Sequence, residues 1–178
     1  MNNQDRMKPV DLVVVLALAV KHESPPATYS QLGLALGVSS STTHESVMRL
    51  QSSGLIRPGT HEPNTRELRN FLVHGAKHAF PPTFGREARG VPTAHAGPVL
   101  REMFDSEKPI VWPDAKGSIR GTGLAPLYPK ATELPERNPA VYAALTLVDA
   151  MRVGQARERN AAMHALDQLL GMKSEPGA

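Results

Sequence analysis

The sequence predicts a mainly α fold, with helices at both ends and a Pro/Gly-rich middle that holds short strands. Three observations carry this. Residues 81–139 contain 10 Pro and 6 Gly in 59 positions, whereas residues 140–178 contain one Pro. Outside that middle, apolar residues recur at helical spacing: Leu12, Val15, Leu16 and Ala19, then Leu68, Phe71, Leu72 and Gly75, then Val141, Ala144, Leu145, Val148 and Met151. Start and stop residues also bracket each periodic run.

The first helix is expected over 9–21. Pro9 suits a first turn, where its missing N–H costs nothing. Nearly every residue of 10–20 is apolar, so this helix should be buried on more than one side. Thr28 can cap a second helix over 29–36, and Gly37 supplies the left-handed turn that ends it. Ser39 caps a third helix over 40–52, which Gly54 ends. Leu55-Ile56-Arg57 is a short extended piece stopped by Pro58. Asn64 with Glu67 makes a capping-box-like start to a fourth helix over 65–79, ended by Phe80-Pro81-Pro82. Ile110-Val111-Trp112 and Ser118-Ile119-Arg120 flank a turn and read as a hairpin. Asn138 caps and Pro139 opens a helix to about residue 153. A last helix over 155–170 folds back on it as an αα-hairpin. Residues 24–27 read as a loop and 173–178 as a frayed tail.

The composition narrows the function classes. There is no cysteine, which excludes a disulfide scaffold, a thiol nucleophile, an iron–sulfur site and a cysteine-based zinc finger. The net charge of +3 permits a nucleic-acid partner without demanding one. The run 10–20 is interrupted only by Asp11 and is too short to span a bilayer. Arg6, Lys8 and Ala17-Leu18-Ala19 imitate a signal peptide, but the module that follows needs this run as its first helix. A cytoplasmic protein without a membrane partner is expected.

Residues 28–57, TYSQLGLALGVSSSTTHESVMRLQSSGLIR, carry the functional signal. A short helix, a glycine turn and a second helix with a hydroxyl-rich start form a helix-turn-helix layout. Leu32 and Leu36 must meet Val47 and Leu50 for the helices to cross and lock. That leaves one face of the second helix free for a major groove. Ser40, Ser41, Thr42, His44, Glu45 and Arg49 are expected to face outward, and Thr43, Val47 and Leu50 inward. Hydroxyls at a helix N-terminus suit phosphate oxygens or base edges, and Arg49 can reach phosphate or guanine. Thr28, Tyr29 and Ser30 would clamp phosphates beside the groove. With Ser39 and Arg57 these residues complete the expected DNA-binding set.

On Gln31-Leu32, Leu36-Gly37-Val38-Ser39, Ser41-Thr42, Val47, Arg49-Leu50 and Gly54-Leu55-Ile56, the chain resembles the winged helix-turn-helix regulators of the MarR type. The match spans roughly 50 residues, counting the preceding helix. The resemblance implies a winged fold and a dimer that binds operator DNA and regulates neighbouring genes. Two departures stand against the full pattern. Pro58 and the fourth helix leave little room for a wing's second strand, and no dimerisation helix precedes Pro9. The chain is also similar to bacterial proteins that share His74-Gly75, Phe80-Pro81, Arg89–Ala94 and Pro126–Pro129, some of which neighbour toxin-like nucleotidyltransferases.

Other constellations are less telling. His74 and His78 stand at i, i+4, the spacing of two zinc ligands, but no third ligand follows at a telling distance. Arg89-Gly90 and Arg120-Gly121 could present guanidinium and N–H groups to an anion, or be turn glycines beside solvated arginines. Trp112 and Tyr128 suit core packing better than a ligand pocket. Arg157-Glu158-Arg159 reads as a solvated helix face. No nucleophile elbow, phosphate loop or paired metal motif is present, so no catalytic residue, metal or cofactor is expected.

The expectation is therefore a DNA-binding domain over 1–80 and a Pro/Gly-rich segment with a helical hairpin over 81–178, for dimerisation or partner binding. The protein would bind duplex DNA sequence-specifically as a homodimeric repressor. The apolar faces of the two C-terminal helices, including Met163, Leu166, Leu169 and Leu170, would have to meet the N-terminal domain, a second subunit, or both, and a dimer built on these helices is expected. The alternative is an antitoxin that masks a toxin-like protein partner through residues 81–178.

Overall fold

A computed structural model describes residues 6–21, 28–104 and 108–172. The expected loop at 24–27 and the tail at 173–178 lie outside them. In chain order the elements are α1 (Pro9–Ala19), α2 (Tyr29–Leu36), α3 (Ser40–Ser52), α4 (Thr65–Asn70), a π-helical turn (Phe71–Gly75) and α5 (Ala76–Ala79). Then follow β1 (Phe84–Thr93), a 3-10 turn (Ala94–Ala96), β2 (Ile110–Pro113), β3 (Ile119–Leu124), a 3-10 turn (Ala131–Glu133), α6 (Leu134–Arg137), α7 (Pro139–Val153) and α8 (Ala156–Leu169).

The mainly α expectation is corrected here: the fold is mixed, with a three-stranded sheet closed on itself between two groups of helices. The winged pattern is corrected too. Residues 55–64 form a tight loop with a single antiparallel bridge, Ile56 to Pro63, and the sheet is built from residues 84–124 instead. Backbone bonds from Arg57 N–H to Glu62 and from Asn64 N–H to Leu55 close that loop too early for a second wing strand.

The expected hairpin does not form either. β2 and β3 run parallel to each other, and each pairs antiparallel with β1. β2 takes Gly90–Thr93 of β1, β3 takes Phe84–Gly90, and two neighbours antiparallel to one strand must be parallel to each other. Residues 114–118 therefore cross over β1 at Gly90. A Cβ on Gly117 would lie 2.2 Å from the Gly90 carbonyl carbon, so the crossing requires glycine. The sheet then curls until Ile110 and Val111 pair with Thr122 and Gly123.

The helix ends follow their sequence signals. Asp11 Oδ2 accepts the Lys8 N–H at 2.7 Å. Asn138 Oδ1 accepts the Val141 N–H at 3.1 Å, with Pro139 in the first turn of α7. Glu158 Oε2 accepts the Gln155 N–H at 2.7 Å to start α8.

One hydrophobic core joins both helical groups. Leu12 to Ala17 of α1 are wholly buried, and α1 packs against α2, α3 and α7. α7 also meets α5, α8, β1 and the turn at 94–96. As a result Val141, Ala144, Leu145, Val148 and Leu166 are fully buried inside a single chain, and Met151 and Leu170 nearly so. Met163 and Leu169 are half-buried against the same core. Of the partners expected for these faces, the N-terminal domain is met within the chain: α7 packs on α1 and β1, and α8 packs on α7.

A buried polar hub ties the sheet to α7. Asp149 Oδ2 accepts from Thr93 Oγ1 at 2.8 Å and from Trp112 Nε1 at 2.7 Å, while Oδ1 accepts from Arg152 Nη1 at 2.6 Å. Arg152 Nε continues to the Phe80 carbonyl at 2.9 Å. Burial pushes the Asp149 carboxyl up, and Arg152, Thr93 and Trp112 pull it back.

Candidate nucleic-acid interface

Residues 28–57 fold as two capped helices around a sharp turn. Thr28 Oγ1 accepts the Gln31 N–H at 3.2 Å and Ser39 Oγ accepts the Thr42 N–H at 3.0 Å. Gly37 sits at φ +69°, in the left-handed region that ends α2. Leu32 and Leu36 of α2 and Val47 and Leu50 of α3 are buried between the helices and α1, as the spacing predicts.

Gly33 makes the close approach of the turn possible. A Cβ there would stand 2.7 Å from the Val38 carbonyl oxygen and 3.0 Å from Thr43 Oγ1. Gly33→Ala is expected to lose about 1–3 kcal/mol of stability in chemical denaturation, despite the better helix propensity of alanine. The sequence held a signal for this residue: glycine within a helix costs about 1 kcal/mol, so its presence marks a packing demand.

The outward face of α3 carries Ser40, Ser41, His44, Glu45, Met48 and Ser52, all exposed. Thr42 is half-buried, and its hydroxyl lies 2.8 Å from Ser39 Oγ. Thr43 is buried, as expected, and donates to the Ser39 carbonyl at 3.0 Å. Beside this face the Tyr29 ring stands edge-on to His44 and His61, with centroids 5.1 and 4.9 Å apart. The Tyr29 hydroxyl lies 2.9 Å from His61 Nε2. This cluster fastens the start of α2 and the 57–64 loop to α3. Ser30 and Thr28 are exposed at the start of α2. Arg57 is exposed at the loop and paired with Glu62 at 3.1 Å.

Arg49 is the exception and a correction. It points inward, with its Nε 2.9 Å from Asp11 Oδ2 and its Nη2 2.8 Å from Asp11 Oδ1. Nη2 also donates to Ser46 Oγ at 3.2 Å, and Glu45 lies 3.7 Å away. Asp11 is wholly buried and the Arg49 side chain is 7% exposed. The hydrogen bonds to Asp11 raise the Arg49 pKa. A position one turn after Glu45 looks outward by periodicity, yet α1 covers it and supplies a carboxylate. The single interruption of the 10–20 run, Asp11, was the available signal.

A second concave feature lies away from α3. A cleft of about 800 Å³ opens between the sheet and α6–α7, with Pro92, Arg101, Lys116, Glu136, Arg137 and Tyr142 among its lining residues. The Tyr142 hydroxyl donates to the Pro92 carbonyl at 2.7 Å, and burial raises its pKa to about 12. Arg137, in the cleft lining, donates to the Leu34 carbonyl of α2 at 3.3 Å, and outside the cleft Tyr128 donates to the Leu36 carbonyl at 3.1 Å. Hydrogen bonds from Lys130 and Arg137 hold the Glu133 carboxyl below its ordinary range. Cations and carboxylates alternate around this cleft, so its charge favours neither sign.

His74 and His78 are both exposed, and the described residues contain no group of three or more His, Cys, Asp or Glu placed to hold a metal ion. Trp112 and Tyr128 are core residues. No helix among the described residues is long and apolar enough to cross a membrane. Comparison with known protein families, curated proteins and solved structures returns no match.

Proposed function

We propose that the chain binds duplex DNA sequence-specifically, with the outward face of α3 in the major groove, as a cytoplasmic transcriptional repressor. One observation carries the reading: α3 is buried on one side against α1 and α2, while a capped, hydroxyl-rich start and His44 stand exposed on the other. The residue pattern that resembles MarR-type regulators adds support from the sequence. Because the Thr42 hydroxyl engages Ser39, base-edge contacts fall to Ser40, Ser41 and His44, with Glu45 available to a cytosine amino group. In this reading the phosphate contacts beside the groove fall to Ser39, Thr28, Tyr29, Ser30 and Arg57.

Selection of duplexes from a random library, followed by fluorescence anisotropy, tests this reading. Enrichment of a defined site is expected. Ser41→Ala and His44→Ala should each lose about 1–3 kcal/mol on that site and little on random duplex. Failure of folded protein to enrich any sequence at low salt would end the reading.

A further inference from the structure

We propose that the β1–β3 face is a phosphate-backbone contact for duplex DNA, built on Arg89 and Arg120 with Lys116 beside them. The proposal rests on the DNA-binding reading and adds cations to the one arginine, Arg57, which that reading supplies. Binding a duplex requires guanidinium or ammonium groups to displace the counterions condensed on the phosphates. Residues 28–57 supply two arginines: Arg49 is committed to buried Asp11, while Arg57, paired with Glu62 at an exposed site, is the one left to reach a phosphate.

The sheet supplies further cations. The sequence repeats an Arg-Gly step at Arg89-Gly90 and Arg120-Gly121, and the fold places the two arginines directly opposite each other, Arg89 against Arg120 in antiparallel register. Opposed residues of an antiparallel pair project from the same face, and like charges so placed destabilise a sheet. Little nearby offsets them. Glu87 meets Arg120 Nε at 3.4 Å, but both side chains are more than 60% exposed, and such a pair is worth little. Arg89 Nη1 donates to the Gly117 carbonyl at 3.3 Å, which leaves the rest of its donor fork open.

That same bond sets Arg89 against the turn that carries exposed Lys116. Asp114 of the turn already accepts the Lys116 N–H at 2.8 Å. Three cations thus stand against two carboxylates, Glu87 and Asp114. Planar forks facing solvent in pairs match the bidentate geometry of phosphate oxygens, and they carry no base readout. A duplex backbone complements the face in charge and relieves the repulsion between Arg89 and Arg120.

The test uses the full chain and anisotropy titrations between about 50 and 200 mM salt, on the selected duplex and on a duplex of arbitrary sequence. The Arg89→Ala/Arg120→Ala variant should weaken both duplexes alike and flatten the slope of log affinity against log salt by about 2. Its melting temperature should equal or exceed that of the parent, because an opposed like-charge pair has gone. Arg89→Lys/Arg120→Lys should restore the parental slope. This pair also decides the matter should the alanine variant fold poorly: a folded lysine pair with a flattened slope overturns the proposal. Unchanged affinity and slope in the alanine variant overturn it as well. The α3 reading is scored separately. Loss of site discrimination in Ser41→Ala/His44→Ala with an unaltered slope supports α3 alone. An arginine-pair effect without any α3 effect leaves the β1–β3 contact standing and removes the α3 reading.

Discussion

Replacing Asp11 with alanine is expected to cost about 3–5 kcal/mol in urea denaturation, a large share of the stability of a domain this size. The loss arises less from the attraction removed than from what remains. Arg49 would keep its guanidinium between α1 and α3, with Ser46 Oγ and the more distant Glu45 as its remaining partners. The paired substitution Asp11→Leu/Arg49→Met should recover most of the loss, because an apolar pair of similar volume avoids the desolvation of both ions. The same double variant tests the correction at Arg49. If that residue only anchors α3, the double variant should bind duplex DNA as the parent does, with an unaltered salt slope. A loss below 1 kcal/mol for Asp11→Ala would show that the pair does not hold α1 to α3.

Asp149→Ala is expected to be of similar size, about 3–5 kcal/mol, for a related reason at the other end of the core. One carboxylate satisfies the Trp112 indole N–H, the Thr93 hydroxyl and the Arg152 guanidinium at once. Its removal orphans two buried neutral donors and leaves Arg152, whose side chain is 3% exposed, with only the Phe80 carbonyl. Asp149→Asn keeps the shape and one acceptor oxygen, so it should cost less than alanine. Trp112 is the only tryptophan, and its fluorescence reports the hub directly. A red-shifted emission in the native state of Asp149→Ala, absent in Asp149→Asn, is the expected signature. Identical stability of both variants would mean that the three donors find other partners.

The helices were legible because their information is local. The bounds of α2, α3 and α7 coincide with those the sequence predicts, since each has a side-chain cap before it and a glycine or its equivalent after it. The helix expected over 65–79 is present but passes through a π turn at Phe71–Gly75, which no periodicity announces. The sheet was not legible. β1 reads FGREARGVPT, with two glycines, a proline and four charged or small residues where alternation should be. What makes it a strand is the pair of partners that arrive from 110–113 and 119–124, and that pairing is not written in its own residues. A five-residue turn between two β-prone runs also points to a hairpin by every local rule. Only the crossing at Gly90 and Gly117 makes the pair parallel. At the candidate interface, Ser40, Ser41, His44 and Glu45 were placed outward by spacing alone. Arg49 was misplaced because the element that buries it lies 38 residues earlier in the chain.

The closure of the sheet bears on how this protein behaves when crowded or partly unfolded. In most small sheets the outermost strands display unpaired N–H and C=O groups that can template another chain. Here each strand pairs with both of the others, but β1 has both partners only at Gly90, with its first half on β3 and its last residues on β2, so closure shortens the exposed rim rather than removing it. Joining of native molecules through strand addition is thereby disfavoured. The protection depends on β3. Loss of β3 alone, by a nick in the 114–118 crossing or by truncation before Ile119, would bare one side of β1 and one side of β2 together. Such fragments would turn a closed sheet into an open two-stranded one with longer unpaired edges. Aggregation of this protein should therefore follow cleavage of the crossing more closely than it follows concentration of the intact chain.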